Sequence, residues 1–251
     1  MKNPHAAEWE ELARRKGYFA VLTHEGDREV EESEVATSEF FATGEADLSS
    51  LLSVAESMVG HGIPLTSALD FGCGAGRLTL PLARRAETVT ASDIAPTMLA
   101  HARRNAEESG LRNIAYVESD RLEALPGESF SFICSLLVLQ YVPRSIGFEI
   151  IRTLLRLLAP GGIVFLHVML APPGEGLRRL VRLSRARSRF DRPSSRVVRD
   201  GSDADGMQTY PYDEREVIRE IEAAGARVVG RVAAPVGDTP GAVFIIEKPS
   251  T

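Results

Sequence analysis

The sequence predicts an α/β fold, a doubly wound sheet of seven strands with helices on both faces. Three observations carry this. From residue 67 onward, short apolar runs alternate with amphipathic runs at helical spacing, the pattern of β-α units whose strands lie parallel. Two of the strand segments, Phe130–Leu137 and Ile163–Met169, are apolar almost throughout, as strands covered on both faces are. A glycine-rich turn, Gly72-Cys73-Gly74-Ala75-Gly76, separates the first strand from the first helix of the series.

The elements follow in order. Ser67–Phe71 is a short strand, Arg77–Arg85 a helix and Thr88–Ser92 a second strand. Pro96–Ser109 is a helix with proline at its start, where a missing N–H costs nothing, and Ile114–Glu118 is a third strand. After strand Phe130–Leu137, a helix over Ser145–Leu158 ends at Pro160-Gly161-Gly162, and Ile163–Met169 follows as the next strand. A helix at Asp213–Ala224 is stopped by Gly225, and strands Arg227–Val232 and Ala242–Glu247 close the series. Upstream, Trp9, Leu12 and Ala13 give a helix over Glu8–Lys16, ended by Gly17. Leu48–Val59 is a second amphipathic helix. The expected organisation is an N-terminal helical segment, 1–64, packing on a core domain, 65–251, with a cap insertion at 171–206.

Composition narrows the function. The 251 residues are 44% hydrophobic and 25% charged, enough for a full core without disulfide or metal support. A net charge of −6 disfavours nucleic acid as a partner, because neutralising phosphate dominates that affinity. Cys73 and Cys134 form no CxxC pair, so neither a disulfide scaffold nor a structural zinc is expected, and a reducing compartment fits. The N-terminus lacks the apolar stretch of a signal peptide and no run is long enough to span a bilayer, so a cytoplasmic protein with no membrane association is expected. The charge is unevenly placed. Segment 171–199 holds nine arginines against Glu175 and Asp191, a net of +7, leaving −13 for the remainder.

Acids follow three neighbouring strands. Glycines in the turn after the first strand let backbone approach a ligand, with helix amides pointing into the crevice. Asp93, at the tip of the second strand, can accept both hydroxyls of a ribose, and Asp120, after the third, can accept from an adenine amino group. The glycine spacing is GxGxG, not the GxGxxG of a dinucleotide fingerprint. Asp70 beside it would repel a pyrophosphate but suits a cationic amino-acid portion.

These residues resemble the class I S-adenosylmethionine-dependent methyltransferases. Leu69 to Gly76 is similar to their first motif, Ser92 to Leu99 to their second and Asp120 to the third. Phe130 to Ser135 with Leu139-Gln140 is similar to their fourth strand and its loop, and Leu157 to Gly162 to the turn before their fifth. The resemblance implies a Rossmann-like sheet, mostly parallel with an antiparallel last strand, carrying N-terminal helices and a helical cap. It implies S-adenosylmethionine as cofactor, held by Asp70, Gly72, Cys73, Gly74, Gly76, Asp93, Ile94, Met98, Asp120, Arg121, Leu136 and Gln140. Trp9 to Leu22 and Phe40 to Glu45 resemble a bacterial subgroup associated with polysaccharide and natural-product biosynthesis, which adds Tyr18 to the cofactor set. Two positions depart from the family. Arg121 stands where a small or apolar residue is commoner, and Gln140-Tyr141 where many members have a histidine.

The acceptor expected is a small molecule. The Asn/Asp-Pro-Pro-Tyr/Phe signature of nucleic-acid amino methyltransferases is missing from 136–143, and no cluster of acids at the strand ends resembles a metal site. His167, near the carboxyl end of the fifth strand, is either a general base or a core histidine bonded to backbone. The arginine run, with Arg178 and Arg179, is a solvated cap helix, a lid drawing in an anionic or sugar-like acceptor, or a patch for nucleic acid or membrane. Tyr141, Tyr210 and Tyr212 are candidates to line the acceptor pocket. A non-catalytic cofactor-binding regulator and a nicotinamide-dependent dehydrogenase are the competing functions, and a homodimer is left open.

Overall fold

A computed structural model describes residues 6–16, 34–171, 208–237 and 239–250. The strands are β1 (Ser67–Phe71), β2 (Thr88–Asp93), β3 (Ile114–Glu118), β4 (Phe130–Ser135), β5 (Leu158–Met169), β6 (Arg227–Ala233) and β7 (Gly241–Glu247). They form one sheet in the order β3-β2-β1-β4-β5-β7-β6. The first five pair in parallel, while β7 runs antiparallel to both β5 and β6. The order reverses between β1 and β4, and the crevice outside their carboxyl ends is where open α/β sheets bind ligands.

The helices are α1 (Ala6–Lys16), α2 (Glu34–Val59), α3 (Thr79–Ala83), α4 (Pro96–Glu108), α5 (Arg144–Leu157) and α6 (Glu214–Ala223). Two apolar layers sandwich the sheet, and strand alternation divides the side chains between them. Val164, Leu166 and Val168 of β5 pack with Ile151, Leu154 and Leu155 of α5 and with Val217 and Ile221 of α6. Ile163 and Phe165 of β5 pack on the opposite face with Leu48, Leu52 and Ala55 of α2 and Leu82 of α3. Asp213 caps α6 by accepting from the amides of Arg215 and Glu216.

Several elements depart from their sequence-based bounds, β4 among them, which ends at Ser135 and not at Leu137. α2 begins at Glu34, well upstream of Leu48. Its buried face runs Phe40, Gly44, Leu48, Leu52 and Ala55, and Gly44 is what breaks the pattern in sequence. A Cβ there would strike the Arg77 carbonyl, so glycine lets the helix lie against the loop after β1. α3 is one short turn with all five residues buried. β5 begins at Leu158, because Leu158 still pairs with Phe130 before the register shifts. The Tyr210–Tyr212 segment crosses back to the sheet, the Tyr212 amide donating to the Met169 carbonyl at 2.8 Å. Within 171–206, residues 172–206 lie outside the described residues.

Candidate active site

The loop after β1 is held from below. The amides of Gly72 and Cys73 both donate to the Ser92 carbonyl, at 2.7 and 2.9 Å. Gly72 has φ +75°, a left-handed conformation, and a Cβ on it would collide with Val138. The backbone of the loop and the segment after β4 therefore close on one another across the crevice. Gly76 serves packing: a Cβ there would meet Leu80 at 2.9 Å and Ala102 at 3.4 Å.

Asp93 stands at the tip of β2 and lines the crevice. Its Oδ2 accepts from the Gly74 amide and its Oδ1 from the Ala95 amide, both at 2.9 Å. Two backbone donors fix the carboxylate while each oxygen keeps a lone pair for a ligand. Burial pushes its pKa up, against those hydrogen bonds. Asp70 lies deeper, 1% exposed, and accepts from the Thr79 hydroxyl at 2.6 Å. Burial raises its carboxyl pKa to about 6, opposed by Thr79 and Arg77 and helped by the neighbouring Asp93.

The crevice is lined by Gly72, Gly74, Asp93, Ile94, Ala95, Met98 and Ser119, and by Leu137, Val138 and Tyr141 from the segment after β4. Phe71, Val142, Ile146 and Ile150 add apolar lining. Trp9 comes from α1 and meets the Tyr141 ring edge-on. α1 is anchored there by Glu10, whose carboxylate accepts from the Thr97 amide at 3.1 Å and from the Thr97 hydroxyl at 2.7 Å. This supplies a cap to α4, whose own N-cap residue, Ala95, has no side chain to offer.

Of the residues expected at the cofactor, Gly72, Gly74, Asp93, Ile94 and Met98 line the crevice, and so does Tyr141, expected at the acceptor. Cys73 is buried behind the loop, its thiol donating to the Gly74 carbonyl and pushed up in pKa by burial. Leu136 packs into the core layer beneath α2. Asp120 is exposed at the start of a 3-10 turn, Ser119–Ala124, and it is Ser119 that reaches the wall. Arg121 faces a separate groove with Arg103 and Glu107, paired with Glu118 at 3.5 Å. Gln140 is fully buried with neither amide atom partnered, and the buried Ser135 hydroxyl is likewise orphaned.

Two expectations are corrected. His167 is 2% exposed and both ring nitrogens are engaged, Nδ1 with the Leu137 amide at 3.2 Å and Nε2 with the Ala234 carbonyl at 2.9 Å. That leaves neither nitrogen for a general base. Tyr212 is fully buried, its hydroxyl donating to the carbonyls of Leu139 and Val142 at 3.2 and 3.0 Å, so it braces the turn after β4 and does not line the pocket. Tyr210 is half-buried, its amide donating to the Gln140 carbonyl. Tyr18, Arg178 and Arg179 lie outside the described residues. The wall residues not singled out in sequence are Trp9, Phe71, Ser119, Leu137 and Val138; Phe71 and Trp9 lie within the resembling stretches, while Leu137 and Val138 are apolar and carry no motif signal. Among the described residues no group of three or more His, Cys, Asp or Glu is placed to hold a metal, and no helix is long and apolar enough to cross a membrane.

A sheet of this order, with a glycine loop after β1 facing an acid at the tip of β2, is the arrangement that the resemblance to class I S-adenosylmethionine-dependent methyltransferases implies. Residues 68–162 match the family described as a methyltransferase domain. The chain is similar to the ubiquinone biosynthesis O-methyltransferase of Methylocella silvestris, 46% identical over 99 residues that cover 39% of this chain and 37% of that protein. It is also similar to the protein-L-isoaspartate O-methyltransferase of Rhizobium meliloti, 31% identical over 125 residues, 49% of this chain and 56% of the other. The chain thus spans about half or less of these curated relatives. Among solved structures, the magnesium protoporphyrin IX methyltransferase of Synechocystis PCC 6803 with bound S-adenosylmethionine shares the fold, with a TM-score of 0.61, 16% identity and coverage of 98% of both chains.

Proposed function

We propose that the protein takes S-adenosylmethionine into the crevice between β1 and β4 and transfers its methyl group to an oxygen of a small-molecule acceptor. The observation that carries this is Asp93, which lines the crevice with its carboxylate held by the amides of Gly74 and Ala95. The residues fit the cofactor. Asp93 accepts the ribose hydroxyls, and Ile94, Met98, Leu137 and Val138 offer apolar surface for the adenine. Ser119 stands at its polar edge. The negative charge of Asp70 beneath the glycine loop favours the cationic amino-acid end. When bound, the sulfonium supplies an electrophilic methyl carbon. The chain's own contribution is alignment and exclusion of water, with Trp9 and Tyr141 closing the crevice.

Oxygen is favoured as the nucleophile because the curated relatives above are O-methyltransferases. An anionic acceptor is inferred from the +7 charge of 171–199, and a sugar-like one, in biosynthesis of a bacterial secondary metabolite or polysaccharide, from the resemblance of 9–22 and 40–45 to the bacterial subgroup. Changing Arg178, Arg179 and Arg182 together to glutamine should then raise the acceptor's KM and flatten its salt dependence.

Calorimetric titration with S-adenosylmethionine, S-adenosylhomocysteine and NADH tests the cofactor. Binding of the two sulfur nucleosides, followed by transfer of labelled methyl to a panel of hydroxylated acids and sugars, is the expected result. Binding of NADH alone would overturn the reading, and cofactor binding without transfer to any acceptor would mark a regulator.

A further inference from the structure

His167 is excluded as a base by the same two bonds that give it another task. Leu137, two residues past β4, has φ +62°, the left-handed region that side-chain-bearing residues rarely occupy and that costs on the order of 1 kcal/mol. Its amide donates to His167 Nδ1 at 3.2 Å. That nitrogen must therefore be the unprotonated one, and the proton sits on Nε2, which donates to the Ala234 carbonyl at 2.9 Å. The imidazole is a neutral bridge between the segment after β4 and the segment after β6. Leu137 and Val138 are both crevice wall, and Val138 is the residue that closes on Gly72.

We infer that His167 is a positioning residue for the cofactor crevice: its Nδ1 locks Leu137 in the left-handed turn that sets Leu137 and Val138 on the wall, so that protonating one buried imidazole loosens the cofactor site. This rests on the cofactor reading above. A proton on Nδ1 turns the acceptor into a second donor facing the Leu137 N–H, and the strained turn loses its lock.

The surroundings keep the imidazole neutral. On its face of the sheet, β4 presents Cys134, a buried thiol held protonated by that burial, and β7 presents Val243 and Ile245. Beyond them lie Val232 and Ala234. α2 covers this layer with Leu48, Leu51, Leu52 and Ala55, while its acids Asp47 and Glu45 are paired with Arg77 and Arg85. Burial pushes the His167 pKa below its ordinary value, against the bond to Ala234, which raises it.

The test uses the full-length protein, with S-adenosylhomocysteine affinity measured by calorimetry from pH 5 to 8.5 and Leu137 amide exchange measured by NMR without ligand. Three variants are compared with wild type. His167→Gln keeps an acceptor and a donor and never protonates. His167→Leu removes both. Leu137→Gly makes the left-handed turn free of strain. Asp70 and Asp93 titrate in every variant, so the difference between the wild-type and His167→Gln profiles isolates the imidazole. The expected result is near wild-type affinity for His167→Gln at pH 8 with a smaller acid-side loss. His167→Leu should bind about tenfold more weakly, as expected when a buried N–H loses its partner, with an exposed Leu137 amide. In the Leu137→Gly background that loss should shrink. Parallel pH profiles for wild type and His167→Gln, or unchanged Leu137 protection in His167→Leu, would overturn the inference while leaving the cofactor reading intact. If His167→Leu does not fold, the His167→Gln profile and Leu137→Gly exchange decide it. Failure of wild type to bind the nucleoside at any pH would overturn both.

Discussion

The Trp9 indole meets the Tyr141 ring edge-on, with centroids 5.0 Å apart and planes at 73°, over one end of the crevice. Trp9 belongs to α1 and Tyr141 to the turn after β4, so the contact joins the N-terminal helix to the core domain. It is also the chain's sole tryptophan, a built-in reporter at the site. Cofactor binding should therefore shift tryptophan emission. Trp9→Ala should weaken cofactor affinity by about 1–2 kcal/mol, from lost apolar cover and one aromatic pair. Titration by calorimetry checks this, and unchanged affinity would remove α1 from the site.

Asp93→Asn keeps the size of the side chain but loses charge on the group offered to the ribose. Cofactor binding should weaken by about 1.5–3 kcal/mol, the range for hydrogen bonds to a charged group. The Kd for S-adenosylhomocysteine is the measurement, with circular dichroism to establish that the variant folds. Wild-type affinity in a folded protein would refute the role.

Asp70 makes a prediction of opposite sign for stability. Its carboxyl pKa is raised from 3.8 to about 6, so the folded state binds the proton more tightly than the unfolded chain does. The ionised group is thus a cost to folding that is fully present above pH 6 and fades as pH falls through 6 toward 3.8. Asp70→Asn, able to keep the Thr79 hydrogen bond, should raise stability at pH 8 by about 2–3 kcal/mol. The gain should shrink toward pH 4. Cofactor affinity should fall in the same variant, a trade between stability and function. Chemical denaturation at pH 8 and pH 5 reads the first, and calorimetry the second.

Tyr212→Phe separates a structural from a substrate role. Loss of the hydroxyl that serves the Leu139 and Val142 carbonyls should cost about 1–2 kcal/mol of stability. The acceptor's KM should stay within about twofold, since the side chain is fully buried away from the crevice. A large rise in KM with stability unchanged would return Tyr212 to the pocket.

Much of this protein is determined by local sequence. The β-α alternation, the glycine turn after Phe71 and the acid after Ser92 follow from period, backbone freedom and charge, properties that neighbouring residues hold whatever the rest of the chain does. Tertiary structure decided what those residues meet. Gly44 matters only because α2 lies against the Arg77 carbonyl, and His167, a base or a core histidine by sequence, has both nitrogens occupied by the Leu137 amide and the Ala234 carbonyl. Trp9 and Val138 are ordinary apolar residues in sequence, and only the approach of α1 and of the segment after β4 to the glycine loop makes them walls of a site. The physical reason is one of range. Helical and strand periods, caps and turns act over a few residues, whereas a hydrogen-bond partner or a pocket wall arises from chain segments tens of residues apart, brought together when the two apolar layers close on the sheet.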